Sequence, residues 1–294
     1  MDLKQLEYFV AVIEKGSFSR AAVAMNLAQP SLSRQVALLE GEFGQRLLER
    51  TGRGVRPTEA GTSLLSHARV MLNAATQARF HMTEMSSEPT GRVVVGLPHR
   101  VANDFCVPII REFRARLPRA MISVVEGLSL SLRDALIGGQ IDVAVLFDPA
   151  PTQLLSYEKL MREKLVLVAP ASTRLKEQVS IADLAQFPMV LPSAPNPIRS
   201  LVDAVLLPRK VSLKIIAEVG GVNTALNLVK SGLACSILPS SAVHRLPDAD
   251  RLMVAQIGPP AMWNSLVLAL PTARPLTRLT QETTSLLRSI RYAS

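Results

Sequence analysis

The chain has 294 residues, of which 48% are hydrophobic and 19% charged, with 15 Gly and 20 Pro. That length accommodates two or three domains of roughly 100–150 residues each, and the apolar content excludes a disordered or fibrous protein. The 33 Lys and Arg against 24 Asp and Glu leave a formal charge of +9, which suggests a polyanion or anionic ligand without saying where the charge sits.

No uncharged apolar run reaches the roughly 20 residues of a bilayer span. Residues 253–273, the most hydrophobic late segment, are interrupted by Gly258, Pro259, Pro260 and Asn264. The opening MDLKQLEYFV mixes both signs of charge and does not build the apolar core of an export signal. Cys106 and Cys235 are too few and too far apart for a disulfide framework. A cytoplasmic protein with no membrane partner is expected. The two cysteines read as small buried hydrophobes, with a redox pair as the alternative.

In residues 2–15, Leu3, Leu6, Phe9, Val10 and Ile13 fall at helical spacing, which predicts an amphipathic helix. Gly16 and Ser17 end it, and a second short helix holds Ala21, Ala22, Val23 and Met25. Residues 26–29 turn the chain into a third helix, with Pro30 in its first turn and a stripe of Leu32, Val36, Leu39 and Phe43. Three short helices with a tight turn before the third describe a helix-turn-helix, whose last helix offers its N-terminal polar side chains to the major groove. Here those are Gln29, Ser31, Ser33, Arg34 and Gln35, following or flanking Pro30. Arg pairs bidentately with guanine and Gln with adenine, while Ser reaches base edges or phosphate. Periodicity alone equally fits an ordinary helical domain with a solvated face. Residues 46–57, RLLERTGRGVRP, shift the balance, because Arg46, Arg50, Arg53 and Arg56 flank a Gly-rich turn. A basic hairpin after a helix-turn-helix reads as a wing that tracks phosphates.

The run Leu6, Phe9, Gly16, Ser17, Phe18, Ala21, Ala22, Ala28 to Ser33, Val36, Leu39, Glu40, Phe43, Gly44, Leu47, Leu48, Arg50, Arg53, Pro57, Thr58 and Gly61 closely resembles the LysR-type transcriptional regulators. The resemblance extends over the whole chain and is strongest in the first sixty residues. Leu48 departs from a common Phe and Ala28 from a frequent Ser. GQIDVAVLF at 139–147 and REKLVLVAP at 162–170 look like the nitrogen-assimilation-control subgroup.

After Thr58, a candidate N-cap, a proline-free stretch runs to about residue 86. Leu64, Ala68, Met71, Ala75, Ala78, Met82 and Met85 recur there at alternating four- and three-residue steps. That is a heptad seam, readable as a dimerising linker helix or as one helix packed on its own domain. The family resemblance implies the former. Residues 88–91, EPTG, then end the helix as a hinge.

From residue 92 short apolar strands alternate with helical segments, which implies a parallel or mixed sheet covered by helices. Strands are predicted over 93–97, 122–125 and 141–146, with helices over about 107–117 and up to 137. A second lobe has strands over 165–169, 189–191, 215–218 and 234–238, and helices from near Ile198 and Asn223. ALIGGQIDVAVL at 135–146 and NLVKSGLACSIL at 227–238 echo one another. Ligands of open α/β sheets bind beyond the carboxyl ends of the strands, at helix N-termini. The predicted strand ends carry Pro98, His99 and Arg100, then Leu128, Ser129 and Ser131, then Ser193, Asn196 and Ile198, then Val222, Asn223 and Thr224.

The resemblance implies an α/β protein overall: an all-α winged helix-turn-helix over 1–58 with the helix-turn-helix at about 18–37, a linker helix over 59–88, and an effector-binding and oligomerisation domain over 89–294. That domain resembles the two-lobed periplasmic-binding-protein architecture, with lobes at about 92–161 plus a C-terminal return and about 162–267. The family assigns the hydroxyl at Ser129 to effector contact, and puts residues 196–198 with Asn223 and Thr224 on the opposite wall. Arg100 replaces a frequent Ser or Thr and is expected to bring charge to a carboxylate or other anionic effector, unless it is an ordinary solvated Arg. Promoter DNA, a small effector and RNA polymerase are the implied partners, in a homodimer that assembles to a homotetramer.

His67, His81, His99 and His244 lie in separate segments without metal-ligand spacing, and no nucleophile elbow, Walker loop or dinucleotide fingerprint occurs. No enzyme activity, metal or cofactor is expected, His99 being the sole acid or base near the predicted pocket. The rival function is a solute-binding protein, which explains two lobes and leaves the head without a purpose. The charge also needs placing: residues 1–57 hold eight basic against six acidic residues, and 89–294 hold 23 against 15. Most of the excess lies outside the DNA-binding head, and the DNA reading rests on the local arginine cluster.

Overall fold

The computed structural model describes residues 1–52, 54–84, 89–244, 252–273 and 275–292. The head opens with α1 (Leu3–Lys15), whose N-terminus is closed by a capping box: Gln5 N donates to Asp2 Oδ1 at 2.8 Å and Asp2 N to Gln5 Oε1 at 3.0 Å. Gly16 ends α1 in the left-handed region at φ 61°, where a Cβ would be strained. Next come α2 (Phe18–Ala24) and α3 (Gln29–Phe43). Leu6, Phe9, Leu32, Val36 and Leu39 are almost wholly buried between the three helices, each stabilising the head by about 1.5–3 kcal/mol. The hairpin of β1 (Leu48–Thr51) and β2 (Gly54–Pro57) follows. It is pinned to the α1–α2 junction by Val55 N donating to Gly16 O at 3.0 Å.

The long helix α4 (Glu59–Glu84) starts where Thr58 Oγ1 accepts from Gly61 N. It does not present its whole apolar seam outward. Ala68 is fully buried in the head core, with Leu64 and Met71 packed against the same cluster, and Arg69 pairs with Glu14 of α1 at 3.1 Å. A helix carrying two apolar stripes satisfies the nearer partner first, so the first half of the predicted seam is the head's own core, and Ala68 is not a dimer contact. Ala75 is half-buried and Ala78 exposed. The Met82 side chain and Met85 lie outside the described residues.

Beyond the hinge, the first lobe contains β3 (Gly91–Pro98), α5 (His99–Arg116), β4 (Ala120–Gly127), α6 (Ser129–Ile137) and β5 (Val143–Phe147). The strands run parallel in the order β4-β3-β5. Helix α5 begins eight residues before the sequence reading places it, directly at the end of β3, with Pro108 inside it. The 16-residue strand β6 (Leu155–Pro170) then crosses between lobes.

The second lobe holds β7 (Gln178–Val179), β8 (Pro188–Pro192), α7 (Pro197–Leu206), β9 (Lys214–Val219), α8 (Val222–Lys230), β10 (Ser236–Pro239), α9 (Ser240–His244) and β11 (Leu252–Ile257). Strands β10 and β11 flank the distal half of β6, both antiparallel to it. The β8–β9 pair joins them through Cys235, whose N and O bond Pro188 O and Val190 N at 2.8 Å.

The chain returns in β12 (Trp263–Pro271), antiparallel to β5 and to the proximal half of β6, and closes with α10 (Arg278–Ser289). The apolar stretch 253–273 is therefore two strands, split by the residues around Pro259 and Pro260. Because β12 pairs with β5 from Leu266 onward, the return to the first lobe begins before residue 267. Helices cover both faces of each lobe: α5 and α10 against α6 in the first, α7 against α8 in the second. Among the described residues no helix is long and apolar enough to cross a membrane.

Candidate functional site

Two surfaces carry the chemistry. On the head, Pro30, Ser31 and Arg34 are exposed at the start of α3, while Gln29 and Ser33 are half-buried. Gln35 turns toward α1, its Oε1 accepting from Gln5 Nε2 at 3.4 Å; this contact is internal to the head. Pro30 sits in the first helical turn, where its missing N–H costs nothing, so Ser31 and Arg34 project from a rigid helix end. On the wing, Arg50 and Arg56 are exposed, and the Arg50 guanidinium lies 5.2 Å from the centre of the Phe18 ring. Arg53 lies outside the described residues. A helix end with a flanking cationic hairpin is the shape of a major-groove reader with phosphate contacts beside it.

The second surface is a cavity of about 210 Å3 between the lobes. It brings together Pro98, His99 and Arg100 from the start of α5, Leu128 and Ser129 from α6, Asn196 and Ile198 from α7, and Val222, Asn223 and Thr224 from α8. These residues are distant in sequence and converge because every one of the four helices begins at the cleft edge. Asn196 caps α7 through Oδ1, which accepts from Ile198 N at 3.0 Å. Helices α5, α6 and α8 begin with no side-chain cap, at Pro98, Leu128 and Gly221. Their first-turn N–H groups carry the positive end of the helix dipole without a protein side chain to receive them. Ser129 Oγ accepts from Phe147 N at 2.9 Å, which fixes the hydroxyl at the wall.

Two predicted residues lie elsewhere. Ser131 is exposed on α6, pointing away because its position is half a turn from Ser129. Ser193 is tied to Val219 O by both its N, at 2.8 Å, and its Oγ, at 3.3 Å; it fastens β8 to the end of β9 and does not line the cavity.

Arg100 corrects a further expectation. Its guanidinium donates to Glu163 Oε1 at 2.5 Å and to Ser241 Oγ at 2.6 Å, and stacks 4.6 Å from the centre of the Phe147 ring. With 15% exposure against 5% for Glu163, it is neither a solvated arginine nor a free cation for a ligand. Its charge is matched inside the protein. Glu163, Ser241, Phe147 and Asn264 were missed by the sequence reading. Only one weak signal marked them: Glu163 lies between Arg162 and Lys164 at the edge of an apolar run.

Other titratable groups do not build a reaction centre. His99 is exposed, 3.4 Å from Glu126. Burial pushes the Cys235 thiol up to about 11 and raises Cys106, the latter with help from the Glu126 charge, which leaves little thiolate near neutral pH. Burial also raises the Asp148 carboxyl, although both its oxygens accept from Ser265 N at 3.1 Å. No cluster of potential metal ligands occurs among the described residues.

Residues 3–62 match the family model for the bacterial regulatory helix-turn-helix protein, lysR family, and residues 86–290 match that for the LysR substrate binding domain. The nitrogen assimilation regulatory protein nac of Klebsiella aerogenes is 35% identical over 291 residues, covering 99% of this chain and 95% of that protein. The HTH-type transcriptional regulator AlsR of Bacillus subtilis is 31% identical over 82% of each chain. Among solved structures, a full-length OxyR variant from Pseudomonas aeruginosa superposes with a TM-score of 0.77 at 23% identity, covering 98% of this chain and 95% of that one. Full-length CbnR in complex with its target DNA gives 0.67 at 22% identity, covering 98% and 99%. With both halves of the architecture matched and full-length relatives that are transcriptional regulators, the chain belongs to the LysR family of DNA-binding transcriptional regulators.

Proposed function

We propose that this regulator acts in the cytoplasm as a homodimer, assembling further to a tetramer, that reads an inverted repeat in promoter DNA under the control of a small anionic metabolite held between the lobes. The observation that carries the effector reading is the convergence of four helix N-termini on one cavity, three of them without a side-chain cap. A carboxylate supplies the missing acceptors for such N–H groups. Arg100 is not the anion's partner, since Glu163 already holds it. Pairing of two heads uses α4 beyond the head core, around Ala75 and Ala78, and two heads on one dimer account for a two-fold-symmetric site. The effector shifts the arrangement of the heads only as far as its affinities for the two arrangements differ, and RNA polymerase is the partner that reads the result.

Gel-shift titrations over a salt series test the head. Arg34→Ala is expected to cost about 1–3 kcal/mol on the cognate site and much less on random DNA, whereas Arg56→Ala weakens both alike and flattens the salt slope. Equal losses on both DNAs for Arg34→Ala remove it from base reading. For the cleft, thermal-shift and calorimetric titration of the full chain with small carboxylates is expected to give binding that Thr224→Trp abolishes, because Thr224 is exposed on the cavity wall. Binding that survives that substitution lies elsewhere. A solute-binding protein, the rival reading, gives no sequence-selective DNA complex at any salt concentration.

A further inference from the structure

Asn264, one of the residues lining the cleft, carries a side-chain oxygen that the fold leaves without a partner among the described residues. Asn264 lines the cavity from the first residues of β12 and is 1% exposed. Its Oδ1 is buried without a hydrogen-bond partner among the described residues. A buried acceptor in this state loses its water hydrogen bonds and receives nothing in exchange, which makes each such atom in a folded protein a question about function.

The orientation of the amide is set by its surroundings. Asn264 Nδ2 donates to Glu163 Oε1 at 3.3 Å, and Asn264 stands directly opposite Glu163 where β6 and β12 cross between the lobes. Glu163 is itself immobilised: Oε1 accepts from Arg100, and Oε2 accepts from Ser241 Oγ at 2.5 Å and Ser241 N at 3.3 Å. Turning the amide over would set Oδ1 against a carboxylate oxygen, acceptor against acceptor. Oδ1 is thus presented as an acceptor by a chain of bonds reaching α5 in one lobe and α9 in the other.

We propose that Asn264 is a specificity-determining residue of the effector cleft, its Oδ1 receiving a hydrogen bond from a hydroxyl or protonated amine on the effector. The inference rests on the proposed effector cleft and narrows its ligand class. The uncapped helix ends offer donors and take the anionic end; Asn264 offers an acceptor and takes a donor. The effector is then a small acid bearing a hydroxyl or amino group, such as a hydroxy acid or amino acid, and not a plain carboxylate. A site with a buried acceptor rejects the analogue that lacks the donor more strongly than an apolar site rejects an added methylene, because the acceptor is then left unpaired.

The test uses the full-length protein and matched acids: propionate with lactate and alanine, succinate with malate and aspartate, glutarate with 2-hydroxyglutarate and glutamate. Calorimetric affinities are expected to favour a donor-bearing member over its unsubstituted parent by about tenfold or more in at least one series. In Asn264→Leu, of similar shape and without the acceptor, that preference is expected to shrink to about twofold while the parent still binds. Equal binding of parent and donor-bearing forms to the wild type overturns the role of Asn264 and leaves the anion cleft standing. Preference that persists in Asn264→Leu also overturns it. Failure of every acid in the panel to bind overturns the anion cleft and this inference together. If Asn264→Leu does not fold, Asn264→Ala, which also lacks the acceptor, is read against the same acids with the same two outcomes.

Discussion

Replacing Gly61 by alanine is expected to destabilise the DNA-binding head by about 3 kcal/mol or more, at the upper end of overpacking costs, and to abolish DNA binding. A Cβ at this position would lie 1.9 Å from Leu47 O and 2.9 Å from Leu47 C. Neither is the end of a flexible side chain. Leu47 is held from three directions: its N donates to Glu40 Oε1 at 2.8 Å, its O accepts from Thr58 N at 3.0 Å, and its side chain is buried in the head core. To admit a methyl group, either the start of α4 or the entry to the wing must move, and the two are fastened to each other. Gly41→Ala provides the contrast. It lies inside α3 on the exposed side with nothing within 4 Å of a built Cβ, so the gain in helix propensity is expected to raise stability by about 0.5–1 kcal/mol. Denaturant unfolding of the full chain followed by gel shift checks both. A Gly61→Ala protein that binds DNA with unchanged affinity contradicts the close approach of α4 to the wing.

The second large effect is expected at the Arg100–Glu163 pair. Arg100→Met leaves the Glu163 carboxylate buried with Ser241 and Asn264 as partners but without its counter-charge, and Glu163→Gln leaves the guanidinium in the same position. Removing one partner of a buried pair costs about 3–5 kcal/mol, and each single substitution is expected to lower the stability of the effector domain by that order. The double substitution Arg100→Met with Glu163→Leu is expected to recover most of the loss, because no buried charge then remains and the apolar neighbours Phe147 and Leu266 accept the replacement. Denaturant titrations of the four proteins form the cycle. The head has its own core, so cognate DNA binding by Arg100→Met is expected to change far less than its unfolding midpoint. Independent, additive effects of the two single substitutions would show that the pair does not act as a unit.

Much of the architecture was legible in order along the chain, for a definite reason. In the head, an apolar period of 3.6, Gly16 at a helix end, and Pro30 in a first turn are local signals, and local bonds decide those elements. The parallel strands β3, β5 and β8 are buried on both faces and stand out as short apolar runs. Only the distal half of β6, residues 165–169, reads as a strand from sequence, because its proximal half alternates exposed and half-buried residues at the lobe edge. Strand β12 reads from sequence only as part of a broken apolar segment, since its identity as a strand depends on β5 and β6 lying on either side of it. The start of α5 is hidden in the sequence because Pro108 reads as a helix boundary, whereas the packing of Val101, Ala102 and Ile109 in the first lobe's core holds the helix continuous across it.

For the site, ten of the twelve named cleft residues fall on one cavity wall or the other, since strand ends and helix starts are marked by turn residues that can be read locally. The exceptions were decided by side-chain direction: Ser131 faces solvent, and Ser193 is used up by Val219. Local sequence by itself determined the kind of parts this protein has, because caps, turns and apolar periods act over a few residues. Only the tertiary structure decided how those parts are spent. Ala68 serves the head and not a partner helix, since α1 lies nearer. Arg100 has its charge matched by Glu163, and Asn264 keeps an acceptor without a partner among the described residues, because residues 63 and 101 positions apart from Glu163 meet where two strands cross between the lobes.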